Sequence, residues 1–260
     1  METLAVIESD PETLASAIEA AALYEQGDTE QEMFVRLTDD CIETPASATH
    51  ATRSSYCTLA ADHFDRLDMR TASPLDAMFE IGPFLGWLDW VDADSVAVHF
   101  RGDHAVTELV LRADGAEVAI GCSDDPAVLD VVETDLPDRF AGARFLDADG
   151  NPMPTTVETT VGQLTRLVDA VDLAESEEGY PLVVREGCLA VDVTGENARA
   201  TAPLDASVDG PAVTNHYGAA FAGVVAGLTG RVTLQTGPGE AVAFVQERDA
   251  YTLRFVVASI

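Results

Sequence analysis

The sequence predicts an α+β protein in which one structural unit is used twice. Three observations carry that reading: a strand followed by a helix opens each half, further strands surround a second helix in each half, and an aspartate-rich stretch without periodicity lies between. With 260 residues, 47% of them hydrophobic types, the chain can bury one large core or two ordinary ones.

The first half starts with the alternating run "LAVIES" and continues into "DPETLASAIEAAALYEQ", where Asp10 is placed to cap, Pro11 sits at the first helical position, and Leu14, Ile18 and Ala21 share a face. Strands are expected in "EMFVRL", "SSYCTLAADHF" and "DAMFEIG". A helix is then read in "PFLGWLDWVDAD" from the spacing of Phe84, Trp87, Leu88 and Val91, with Trp87 and Trp90 both assigned to the core. "SVAVHF", "TELVLRAD" and "AEVAIGC" complete the half, giving the order β, α, three β, α, three β. The second half repeats it: "TTVETTV", a helix over "GQLTRLVDAVDLAES" with Leu164, Leu167, Val168 and Val171 inward, then "PLVVREG", "CLAVDVTG", "ARATAPLD" and "AVTN". A helix over Asn215–Gly230 is expected to turn Tyr217, Phe221, Val224, Val225 and Leu228 inward, before the closing strands "RVTLQT", "AVAFVQERD" and "AYTLRFVVASI". Residues 1–123 and 144–260 are taken as the two domains, and 124–143 as an extended connector.

Charge sets the second constraint. Asp and Glu number 46 against 14 basic residues, all of them Arg, for a formal net charge of -32. That balance suits a halophile cytoplasm: at about 1 M salt the Debye length is roughly 3 Å, which screens neighbouring carboxylates. A nucleic-acid mimic or a binder of basic partners is the alternative reading of the same acidity. Cys41, Cys57, Cys122 and Cys188 are scattered without a CxxC pair and are read as reduced, mostly buried thiols. No apolar run reaches the roughly 18 residues of a membrane span, so a cytoplasmic protein is expected.

Motifs for chemistry are wanting. "DADGNP" (147–152) has the start of a calcium loop but not its later acidic ligands, and reads as a β-turn. His50, His63, His99, His104 and His216 have no metal spacing, and "TGPGE" lacks the lysine and following helix of a phosphate loop. No catalytic residues, metal or cofactor are assigned, and the protein is read as a non-enzyme.

The joint order of elements, the acidic connector, the segment "LVVREGCLAVDVTGENARATAPLD" (182–205) and the final "RFVVASI" together resemble the sliding clamps of the proliferating cell nuclear antigen (PCNA) family, over essentially the whole chain. The resemblance points to a haloarchaeal or haloarchaeal-virus form, although the family's usual "LAPKI" or "LAPRI" ending reads "VVASI" here. It implies two clamp domains with helices on one face of curved antiparallel sheets, closing as a homotrimeric ring around double-stranded DNA. Such a ring is a processivity factor that tethers DNA polymerase, the clamp loader and other proteins carrying a clamp-binding peptide. The alternative is a clamp-like paralogue or decoy that binds clamp partners or host subunits without encircling DNA.

By the same resemblance, subunits join through Glu117, Val118, Ala119 and Ile120 of one copy and Arg199, Ala200, Thr201 and Ala202 of the next. Arg166, Gly218, Ala219, Ala222, Gly223 and Ala226 would face DNA, where a neutral helix avoids repelling phosphate; a helix buried through small residues is the competing reading. Glu12, Glu19, Asp89, Asp92, Asp169 and Asp172 are the acidic residues on that side. The partner peptide would dock against His50, Ala51, Leu136, Pro137, Pro238, Gly239, Phe255, Val256, Val257, Ala258 and Ile260. Strand alternation leaves Val256 and Ile260 needing cover.

Overall fold

The computed structural model describes residues 1–22, 32–47, 53–123, 136–185, 187–196 and 198–260. They group into two units: 1–47, 55–123 and Arg248–Leu253 form the first, and Arg53, Ser54, 136–247 and Arg254–Ile260 the second.

In the first unit, β1 (Glu2–Ser9) leads into α1 (Pro11–Ala21) through Asp10, whose carboxylate accepts the Thr13 N–H at 2.7 Å. Then come β2 (Glu32–Leu37), β3 (Cys41–Ser47), β4 (Arg53–Ala60), β5 (Arg66–Met69), β6 (Leu75–Glu80), α2 (Ile81–Trp90), β7 (Val96–Gly102), β8 (Val106–Ala113) and β9 (Ala116–Gly121). They form one sheet in the order β5-β1-β7-β8-β9 and a second in the order β4-β3-β2-β6. The described pairings are antiparallel. Leu14, Ala17, Ile18 and Ala21 of α1 and Ile81, Phe84, Trp87 and Leu88 of α2 are buried, and the two helices pack together.

The second unit holds the short hairpin of β10 (Phe140–Ala141) and β11 (Arg144–Phe145), then β12 (Thr155–Thr160), α3 (Val161–Ala174), β13 (Tyr180–Arg185), β14 (Cys188–Thr194), β15 (Arg199–Leu204), β16 (Ala206–Asp209), β17 (Val213–Tyr217), α4 (Ala219–Gly227), β18 (Arg231–Thr236), β19 (Val242–Glu247) and β20 (Tyr251–Val257). Its sheets run β16-β12-β18-β19-β20 and β15-β14-β13-β17. Each sheet order in one unit therefore has its counterpart in the other, with β1 matching β12 and β2 matching β13. The aromatic anchors repeat too. Phe84 of α2 lies 5.0 Å from Phe79 at the end of β6, and Phe221 of α4 stacks 5.6 Å from Tyr217 at the end of β17.

Several expectations need correction. Five strands, not three, separate α1 from α2: β3 and β5 escaped notice because Pro45 and Glu43 interrupt one and charge dominates the four residues of the other. β16 was missed because it is short, a four-residue edge strand paired only to β12. The run "SSYCTLAADHF" leaves the strand at Ala60 for a 3₁₀ turn, and the supposedly extended connector contains a similar turn at Pro137–Arg139 before β10. Val91 falls outside α2 with extended backbone.

The neutral helix is shorter than its composition suggests. Asn215–Tyr217 belong to β17, where Val213, Asn215 and Tyr217 are buried with the period of a strand; Gly218 caps α4 and Leu228 ends it. Tyr217 does meet Phe221, but across a strand-to-helix junction. Trp87 is buried, whereas Trp90 is 70% exposed. Of the four free cysteines only Cys57 is fully buried. Asp147 forms the expected turn, its Oδ1 accepting the N–H groups of Asp149 and Asn151.

Two glycines separate steric need from helix propensity. A methyl group at Gly195 would overlap the Ala174 carbonyl oxygen, since the β14–β15 turn presses on the end of α3, while a methyl at Gly86 in α2 meets nothing within 4 Å. Gly195→Ala is expected to destabilise the protein by about 1–3 kcal/mol. Gly86→Ala is expected to stabilise it by about 0.5–1 kcal/mol, both read from urea unfolding at fixed salt.

Candidate assembly edges and partner-peptide site

β9 and β15 each end a sheet, so each pairs on one side only among the described residues. Hydrogen-bond alternation tells which backbone groups remain outward. The Cys122 N–H donates to Thr107 O on β8, so Ile120 and Val118 also turn their N–H groups to β8, leaving Glu117 and Ala119 facing out. Gly195 N–H donates to Ala198 O, so Ala200 and Ala202 face β14 while Arg199 and Thr201 face out. Pro203, which has no N–H to offer, occupies an outward position of the same edge.

Charge fixes the second edge. Asp192 on β14 accepts from Arg185 and Arg199 and, at 3.5 Å, from Thr201 Oγ1. The Arg185 and Arg199 hydrogen bonds hold its carboxyl below the usual carboxylate range. Beside these edges stand the helices: α2 packs against β9 and carries the exposed Trp90, and α3 packs against β15 and carries Leu173, 78% exposed. Sequence reasoning missed both apolar side chains.

The outward faces of the helices differ in character. Ala219, Gly223 and Ala226 of α4 are exposed, with Gly218 and Ala222 half-exposed, so this helix buries only one face. Arg166 is exposed and donates to Gln163 Oε1 at 3.1 Å; it is the only basic residue within the four described helices. Arg53 from β4 is a basic residue the sequence did not reveal near this face: a methyl group at Gly223 would lie 3.1 Å from Arg53 Nη1. In the other unit, α1 and α2 border an open depression of about 580 Å³ lined by Glu12, Glu19 and Asp89 together with Ala15, Ser16 and Leu85.

The residues read as a peptide site divide into floor and rim. His50 and Ala51 lie outside the described residues. Leu136, Phe255 and Val257 are buried, and Pro137 is half-buried at the start of its turn. Val256 finds the cover it needed, packing on the cluster of Phe145, Met153 and Ala243 beside Phe140. The β10–β11 hairpin is pinned over this face of β20: Arg254 donates to Gly142 O at 3.3 Å and lies 5.5 Å from the Phe140 ring, while Gln235 accepts from Phe145 N–H and donates to Ala143 O. The hairpin thus covers one face of β20 while Phe255 and Val257 are buried on the other, which suits the apolar run Phe255–Val257 at its end.

Pro238, Gly239, Ala258 and Ile260 form the exposed rim, Ile260 being 75% exposed. β17 brings them together. Ile260 N–H donates to His216 O, Ser259 Oγ donates to Gly239 O at 3.0 Å, and Asn215 Oδ1 accepts the Gly239 N–H at 2.8 Å. Gly179, at φ +75°, lies under the same contact, where a methyl group would crowd Tyr217 O and come 3.0 Å from Ile260 Cδ1.

Solved structures resemble the whole chain. The crystal structure of PCNA from Entamoeba histolytica has a TM-score of 0.71 at 9% identity, covering 100% of both chains. A. fulgidus PCNA, bound to the C-terminal region of FEN-1, gives 0.70 at 10% identity over 98% of each chain. PCNA from Thermococcus kodakaraensis gives 0.69 at 16% identity, covering 98% of this chain and 100% of its own. The chain has the PCNA fold. No protein-family model matches the sequence and no curated protein matches it, so the likeness is one of structure. Its α+β architecture is that of the PCNA sliding clamps, with antiparallel sheets and helices repeated in two units. No described helix is long and apolar enough to cross a membrane.

Cys122, next to the β9 edge and bridged to Phe79, tests how closed this end of the PCNA fold is. Burial pushes its thiol up to about 12. At pH 8 the thiolate fraction would be on the order of 10⁻⁴, so iodoacetamide should modify Cys122 only after denaturation. Mass spectrometry of the alkylated native protein checks this, and rapid native labelling of Cys122 would contradict it.

Proposed function

We propose that the chain is a DNA sliding clamp: a non-enzymatic homotrimeric ring, with 1–123 and 144–260 as clamp domains and 124–143 as connector, that encircles duplex DNA and tethers replication proteins. The observation that carries this reading is the pair of open strand edges, β9 and β15, in a chain whose fold matches PCNA from end to end. An open edge is satisfied by strand addition, and edge-to-edge pairing between copies supplies it. Trp90 and Leu173, left in water on the helices adjoining those edges, support burial there on assembly.

The face formed by Gly218, Ala219, Ala222, Gly223 and Ala226, with Arg166 on α3, the helix that packs against α4, is assigned to DNA. So few basic residues suit the molar-salt, haloarchaeal or haloviral cytoplasm inferred from the net charge of -32, where phosphate attraction contributes little. Retention then depends on ring closure. Polymerase, loader and other partners would dock at the rim of Pro238, Gly239, Ala258 and Ile260, over the floor of Leu136, Phe255 and Val257; the resemblance to A. fulgidus PCNA, whose structure holds a FEN-1 peptide region, supports a site of that class.

The test of assembly is light scattering in about 2 M salt. The unmodified chain should be a trimer, and Ala119→Pro or Thr201→Pro, each deleting an outward N–H, should give folded monomers. A monomeric unmodified chain at micromolar concentration would favour the decoy reading, and trimers surviving both substitutions would remove this interface.

Partner docking has its own measurement. A peptide with glutamine, an aliphatic residue and paired aromatics should bind by calorimetry in high salt, and Ile260→Asp should weaken it by roughly tenfold or more while leaving the trimer intact. Equal binding by both proteins would exclude Ile260 from the site.

A further inference from the structure

We infer that Asn215 is the positioning residue of the partner-peptide rim, holding the turn of residues 237–241 as a preformed apolar edge; this rests on the assignment of that rim under Proposed function. Asn215 is buried on β17, and its amide reaches into the turn from one side: Nδ2 donates to Gly237 O at 2.7 Å and to Glu240 O at 3.3 Å, while Oδ1 takes the Gly239 N–H. Two further buried groups close the cluster. Thr236 Oγ1 lies 3.0 Å from Asn215 Nδ2 and donates to Ala241 O at 3.0 Å; the Tyr217 hydroxyl lies 3.1 Å from Thr236 Oγ1 and donates to Glu240 O at 3.3 Å. Burial pushes the Tyr217 phenol up, which keeps it a donor.

The consequence lies in what the turn no longer offers. Gly237 O, Gly239 N, Gly239 O, Glu240 N, Glu240 O and Ala241 O all have partners within the unit, Gly239 O through Ser259 and Glu240 N through Gly237 O. Pro238 and Gly239 remain exposed next to the C-terminal segment that Ser259 ties to the same turn. With those main-chain groups already paired, the turn presents the Pro238 ring to a partner, beside Ile260. Because the turn is already ordered, a partner's aliphatic or aromatic side chain binds without first ordering it.

The experiment compares unmodified protein with Asn215→Leu, which keeps side-chain size but removes the amide, in molar salt. The probe is a fluorescent peptide bearing glutamine, an aliphatic residue and paired aromatics. Affinity should fall at least tenfold, with the Gly239 amide exchanging faster and the oligomer unchanged by light scattering. Asn215→Asp, which keeps the acceptor for Gly239 N–H but not the donors, should fall between the two. If the unmodified protein binds and Asn215→Leu binds within twofold of it, the positioning role is overturned while the peptide site stands. Absence of binding to the unmodified protein overturns the site itself, and the role with it. Should Asn215→Leu fail to fold, Thr236→Val and Ser259→Ala release the same turn from its two sides, and unchanged affinity in both refutes the inference.

Discussion

Each repeat has to close the apolar faces of two small sheets with two short helices, and the aromatic contact at the strand-to-helix junction governs how it does so. Phe84 against Phe79 and Phe221 against Tyr217 seat α2 and α4 at the start of the helix, where the chain leaves the strand. Phe221 also meets Tyr180 and Phe244, so one side chain joins a helix to strands of both sheets of its unit. Once the helices are seated, one stripe of each is spent on the core, and the opposite stripe is free to be as polar, small or acidic as its surroundings require. Everything assigned to function lies on surfaces that this arrangement leaves over: helix backs, sheet edges and one turn.

Long strands and the helix cores were legible because burial on one face imposes a period. The α+β class, the duplication, α1 with its Asp10 cap, α3, and the closing strands follow from that pattern alone. Illegible elements were those that burial does not pattern. β5 and β16 sit at edges, pair on one side and carry charge, so neither alternation nor composition marks them. The helix boundary at Gly218 was hidden for a different reason: in β17 and α4 the residues Tyr217 and Phe221 are four apart, a helical spacing that a strand feeding a helix also satisfies.

Of the candidate sites, the two edges could be placed by resemblance, yet their directionality could not. Which N–H points outward depends on the phase of the ladder, visible only through the Cys122 and Gly195 hydrogen bonds. The proposed peptide site was legible as a list of mostly apolar positions, several near the chain end, but not which of them are buried and which exposed. Val256 is half-covered by the cluster of Phe145, Met153 and Ala243 because the hairpin folds back over β20, a tertiary contact with no local signature. Asn215, the best-connected polar side chain there, reads both as the end of the strand-like run "AVTN" and as the start of the neutral helix. Polar residues that hold a turn by hydrogen bonds carry no hydrophobic period, so sequence pattern passes over them.

The two tryptophans of α2 lie three residues apart, Trp87 buried and Trp90, the last residue of the helix, 70% exposed. In optical terms the chain carries a paired indicator. Trp87, enclosed by the core, emits from an environment that changes only when the fold is lost. Trp90, in water and next to Asp89, emits from an environment set by whatever comes to lie on that end of α2. Because no other tryptophan contributes, native fluorescence separates into a reporter of folding and a reporter of surface contact, with no label added.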